Sequence, residues 1–145
     1  HSYSSAASDV YKRQIINTKE RYFMSKEVKQ FTTAKMDPAE IFGNACLKAR
    51  YAVDEFTAKH GEPMYCGFAN ISIHPARGPF VTWCKKMEIG STGYGGGYRI
   101  SYYDFMNGHQ YNHTQSLDIK EVAMNAVSSY FKSLGITAYA ESRAD

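Results

Sequence analysis

The residues best suited to chemistry fall in two neighbouring stretches and one terminal one. The first is Arg77-Gly78-Pro79, where a helix is expected to start on Pro79. The unpaired N–H groups of a helix start, aided by the helix dipole, favour negative charge. Arg77 would add a guanidinium able to grip phosphate through two hydrogen bonds. The second is the run Gly90-Ser91-Thr92-Gly93-Tyr94-Gly95-Gly96-Gly97-Tyr98-Arg99. Its glycines would let backbone N–H groups approach an anion closely. Arg143 stands near the end of the last expected strand. Arg77, Gly78, Tyr94, Gly95, Gly96, Gly97, Tyr98, Arg99 and Arg143 therefore outline an expected site for an anionic small ligand such as a nucleotide. The plainer alternative makes the glycine run a tight connection between a helix and a strand.

The glycine run matches neither common nucleotide motif. It lacks the Gly-Lys-Ser/Thr ending of a P-loop, and a helix precedes it while a strand follows, the reverse of a dinucleotide fingerprint. Other constellations are weaker still. His109 and His113 would suit a metal on a helix, but on a strand they stand roughly 13 Å apart, so no metal site is expected. His74 is a candidate base. Cys84, beside Trp83 and Lys85, is either a nucleophile or, the commoner case, a buried core thiol. Lys85 and Lys86 complement the C-terminal end of their helix. No Ser/His/Asp set or carboxylate pair stands out, so the reading assigns no catalytic residue and no cofactor, and favours binding over catalysis.

Positioning such a site requires a scaffold, and the periodicities supply one. Asp37, Pro38 and Glu40 begin a helix by N-cap, first-turn proline and capping-box spacing. Its apolar stripe runs through Phe42, Ala45, Ala49, Ala52, Val53 and Phe56 to a stop at Gly61. Tyr65 to His74 alternates as a strand, with Ile71 and Ile73 on one face and Phe68, Asn70 and Ser72 on the other. A short helix carries Phe80, Val81, Trp83 and Cys84. Tyr98 to Met106 reads as a second strand, and Asn107-Gly108 as a hairpin turn returning through His109 to Gln115. Asp118 and Glu121 cap a third helix with the stripe Ile119, Val122, Ala123, Ala126, Val127, Tyr130, Phe131 and Leu134, and Ile136 to Arg143 forms the last strand. About four mainly antiparallel strands, two long helices and a short one predict an α+β two-layer sandwich.

Composition narrows the classes. The 145 residues carry 17 Lys+Arg against 14 Asp+Glu, a net of +3. Residues 1–23 hold Lys12, Arg13, Lys19 and Arg21 against Asp9 and Glu20, so the remainder has 13 against 12, a net of +1. That balance argues against strong nonspecific nucleic-acid binding. Cys46, Cys66 and Cys84 form no CxxC pair and read as reduced thiols. No apolar run spans a bilayer, so no membrane association is expected. Twelve tyrosines and eight phenylalanines are the compositional oddity, and in a small domain they point to core plus interface, including a homo-oligomeric one, or to a stacking surface.

Residues 1–23 have the character of a leader foreign to the fold. His1 to Gln14 resembles adaptor-derived translation found at the ends of environmental sequence fragments, and Thr18-Lys19-Glu20 back-translates to a ribosome-binding sequence shortly before Met24. A single domain is therefore expected over residues 24–145. At Pro75-Ala76-Arg77-Gly78-Pro79-Phe80, the glycine run and Ser142-Arg143-Ala144-Asp145, the chain resembles a family of small uncharacterised tailed-bacteriophage proteins, over nearly all of residues 60–145. That resemblance implies a phage accessory protein acting in the host bacterial cytoplasm. Three functions follow as expectations: a binder that sequesters an anionic nucleotide of host-defence signalling, a single-stranded nucleic-acid-binding module, or an inhibitor docked on a host protein.

Overall fold

The computed structural model describes residues 36–145; the expected leader and the first residues of the expected domain lie outside the described residues. Helix α1, Pro38–His60, begins where Asp37 accepts a hydrogen bond from the Ala39 N–H at 3.0 Å and Pro38 occupies the first turn. It stops at Gly61, whose φ of +66° suits glycine and whose N–H closes onto the Thr57 carbonyl. Ile41, Ala45, Ala49 and Val53 recur every four residues and are buried. Small side chains at Ala45 and Ala49 admit the second long helix closely.

Among the described residues four strands form one antiparallel sheet in the order β2-β3-β1-β4: β1 is Gly67–Ile73, β2 Ser91–Thr92, β3 Tyr98–Ser101 and β4 Ala138–Ala144. Helix α2, Pro79–Lys86, lies between β1 and β2, the one-turn α3, Tyr102–Phe105, follows β3, and α4, Leu117–Ser133, precedes β4. The α+β sandwich expected from the sequence is the architecture observed. One sheet face, carrying Ala69, Ile71, Ile73, Tyr98, Ile100 and Ala138, packs under the helices with Val127, Phe131 and Met124. Each fully buried Ile or Phe contributes about 1.5–3 kcal/mol by leaving water.

Three local expectations are overturned. The strand from Tyr98 ends at Ser101, because Ser101 and Asp104 form a helix start: the Asp104 carboxylate accepts from the Ser101 N–H at 3.2 Å and hydroxyl at 3.1 Å. Asn107-Gly108 does turn, with Gly108 at φ +83°, but residues 109–114 follow as successive turns and form no strand. They are pinned by side chains, since Tyr102 donates to the Tyr111 carbonyl at 2.8 Å and Arg50 to that of Asn107. His109 receives the Tyr111 N–H on Nδ1, so its Nε2 carries the proton toward Asp54 at 2.8 Å. The cap of α4 is Ser116 rather than Asp118; its hydroxyl accepts from the Ile119 N–H.

Candidate functional site

The early end of β3 creates the site. Only Asn70 to Ile73 of β1 pair with β3, which leaves residues 67–69 without a strand on that side among the described residues. Residues 115–117 cover part of the gap, with Gly67 N–H donating to Gln115 and Leu117 N–H to Tyr65. The Gly67 carbonyl remains, and the Lys120 ammonium reaches up from α4 to it at 2.7 Å. The same Nζ donates to the Tyr103 hydroxyl at 3.1 Å and lies 5.1 Å and 5.2 Å from the ring centres of Tyr103 and Phe68. Lys120 is 0% exposed, and no carboxylate of a described residue lies within ion-pair distance. A buried ammonium held by a carbonyl, a phenol and two ring faces keeps a donor and an uncompensated charge.

Above this lysine, on the sheet face that no described helix covers (the uncovered face), is a cavity of about 570 Å³. Phe68, Asn70, Arg99, Ser101, Tyr103, Glu141 and Arg143 line it with Lys120. Register explains the grouping: Phe68 stands opposite Arg143, Asn70 opposite both Ser101 and Glu141, and Arg99 one step along β3. Glu141 Oε1 accepts from Asn70 at 3.0 Å and lies 3.5 Å from Arg99 Nε. The Arg143 guanidinium carbon lies 5.1 Å from the centre of the Phe68 ring that also meets Lys120. Three cations against one carboxylate, two of them crowded on one ring, form a positive, aromatic-lined pocket.

The structure thus brings Arg99 and Arg143 together and separates the other expected site residues from them. Arg77 and Gly78 line a smaller cavity of about 210 Å³ with His74 and Thr137, roughly 13–20 Å along β1 from the first. Tyr98 is turned into the core, donating its hydroxyl to the Ile89 carbonyl, and burial raises its pKa. The glycine run is a hairpin between β2 and β3. Its Gly93 and Gly96 N–H groups bond within the turn, to Gly97 and Gly93 carbonyls, so they are spent internally. Gly95 and Gly96 take positive φ there, and Tyr94 at the tip is 100% exposed. Gly97 is required by closeness: a Cβ would come within 2.4 Å of Ser72 Oγ and 2.7 Å of His74.

Two candidate reactive groups are structurally committed. Ser72 Oγ meets His74 Nε2 at 2.9 Å, but Ser72 is 2% exposed beneath Gly97 and offers no open hydroxyl. Cys84 is core, and burial, with the nearby Asp104 charge, pushes its thiol up to about 12. Among the described residues no cluster of three or more His, Cys, Asp or Glu could hold a metal, and no helix is long and apolar enough to cross a membrane.

Lys120 and Tyr103 were missed by sequence reading, though Lys120 left a signal. It stands three and four residues from Leu117, Ala123 and Met124, on the buried side of α4. A lysine at apolar spacing reads as ordinary helix polarity until the packing is known. No protein-family model, curated protein or solved structure matches the chain.

Proposed function

We propose that this protein is a phage accessory protein that binds an anionic, ring-bearing small molecule of the nucleotide class on the uncovered face of its sheet. One observation carries the reading: a fully buried lysine without a carboxylate partner faces the same cavity as Arg99, Arg143 and two aromatic rings. Phosphate oxygens would neutralise the crowded cations, and a base or sugar would lie on Phe68 or Tyr103. Tight binding without turnover suits sequestration of a nucleotide signal of host defence.

The test is a thermal-shift and calorimetric panel of nucleoside monophosphates, diphosphates and cyclic dinucleotides, with nucleosides and inorganic phosphate as controls. Nucleotides should raise the melting temperature where nucleosides do not. Lys120→Met and Arg143→Ala should each weaken binding tenfold or more, about 1.4 kcal/mol. No shift with any nucleotide sinks the reading; loss of binding on Arg77→Ala with none on Lys120→Met moves it to the other cavity.

A second reading has its own support. Tyr139, outside the cavity, is 50% exposed on the same sheet face, so Phe68, Tyr103 and Tyr139 offer stacking positions across an arginine-bearing sheet, as single-stranded nucleic acid uses. Binding of a short oligonucleotide that falls steeply as salt rises would favour it over the mononucleotide reading.

A further inference from the structure

Strand β4 is, with β2, one of the two outer strands of the sheet among the described residues, and its alternation fixes which groups face outward. Thr137 C=O accepts from His74 N–H and Asp145 N–H donates to Cys66 C=O, at the two ends of β1, so the odd-numbered residues turn their backbone groups inward. The N–H and C=O groups of Ala138, Ala140, Ser142 and Ala144 therefore face away from the sheet. Only the N-terminal part of this edge is occupied among the described residues: Ser128 Oγ donates to the Ala138 carbonyl at 3.0 Å, and Lys132 lies over the Tyr139 ring. From Glu141 to Ala144 every residue is exposed. The edge carries no proline or lysine and its pairing with β1 runs without a bulge; its two charges, Glu141 and Arg143, are of opposite sign.

We propose that a second copy of this chain pairs with this edge, β4 against β4 about a two-fold axis at Ser142. Register selects that centre. With Ser142 opposite the partner's Ser142, Ala140 faces Ala144, the outward N–H and C=O groups match, and Glu141 stands across from the partner's Arg143 twice over. Moving the axis to Glu141 sets two carboxylates face to face. Moving it to Ala140 uses the Ala138 carbonyl already taken by Ser128. Glu141 is also prepared for a cation, since Oε1 takes both Asn70 and Arg99 while Oε2 accepts no hydrogen bond from a described residue.

An axis perpendicular to the sheet puts both uncovered faces on the same side. The two cavities, each bounded by Glu141, Ser142 and Arg143, then meet across the axis and form one groove with two copies of Lys120 and Arg99, the two Arg143–Glu141 pairs lying between them. That consequence rests on the anion-binding reading and points to a ligand with two separated phosphates, whereas the pairing itself does not depend on it.

Sedimentation of the full chain without ligand, across the micromolar range, is the test. The expected mass approaches twice the 16.4 kDa of one chain. Ser142→Pro removes an outward N–H and none that bonds to β1, so it should return a monomer with an unchanged circular-dichroism spectrum. Arg143→Glu should weaken the dimer at least tenfold, and adding Glu141→Arg should restore it, which keeps the proposal open to refutation if the proline variant fails to fold. A chain that is monomeric throughout overturns the proposal, as does a Ser142→Pro dimer or a charge swap that restores nothing. Because no ligand is present, a dimer that binds no nucleotide leaves the pairing standing, and a monomer that binds one leaves the site standing.

Discussion

The two faces of the sheet are made by the same strands and obey opposite rules. Along β1, Ala69, Ile71 and Ile73 point under the helices while Phe68 and Asn70 point the other way, and β3 alternates between Ile100 and Arg99. The covered face is apolar and closely filled, with Phe131 packed edge-on against Phe80 at 5.3 Å between ring centres. The uncovered face holds charges of both signs and half-exposed rings. Stability and the proposed binding are thereby assigned to alternate residues of one strand, so changes on one face need not disturb the other.

That separation can be broken or sharpened by substitution. The largest effect is expected from Phe131→Ala, which empties a fully buried site and should cost about 3–5 kcal/mol in chemical denaturation, while Phe68→Ala on the other face should cost no more than about 1 kcal/mol. Equal losses would show that the uncovered face is structural after all. Tyr98→Phe comes next. It keeps the ring in the core but leaves the Ile89 carbonyl without its donor, a loss of about 1–3 kcal/mol in the same assay, with nucleotide affinity untouched.

Thiol chemistry reads the same contrast. Cys66 is exposed, whereas burial raises the Cys46 and Cys84 thiols to about 12, so only Cys66 should react with a thiol reagent at neutral pH until the protein unfolds. Their raised folded-state values mean that the native state holds those protons longer than the unfolded chain. Their contribution is complete below about pH 9 and should be lost as pH rises from 9 toward 12, visible as falling melting temperature over that window. The smallest effect is reserved for Tyr94→Ala, at the hairpin tip, which should change neither melting temperature nor nucleotide affinity. A loss of affinity there would return the glycine run to the site.

The long elements were legible because each is written redundantly. Helix α1 has its cap, first-turn proline, stripe and terminal glycine in agreement, and β1 alternates cleanly. The stretch after Ser101 misled because two short-range signals compete. Asn107-Gly108 asks for a hairpin, while Ser101 and Asp104 start a helix six residues earlier, and the earlier signal removes the strand the hairpin needs. The site was only half legible for a related reason. Arg99 and Arg143 lie on strands whose alternation places them on the uncovered face, but their nearness depends on β1 standing between β3 and β4, which no local pattern encodes. Lys120 comes from the other layer altogether and reaches the cavity only through the gap beside Gly67.

The brevity of β3 has a further consequence. The cavity is an absence, the length of strand that four residues of β3 fail to cover beside the seven of β1. Its dimensions are therefore governed by where Ser101 and Asp104 halt the strand, before any lining side chain is chosen. A lineage that shifted this stop signal by one strand repeat would widen or shut the groove in a single step, with every lining residue still in place. Under the proposed function, ligand size would then evolve by punctuation, and ligand chemistry by vocabulary.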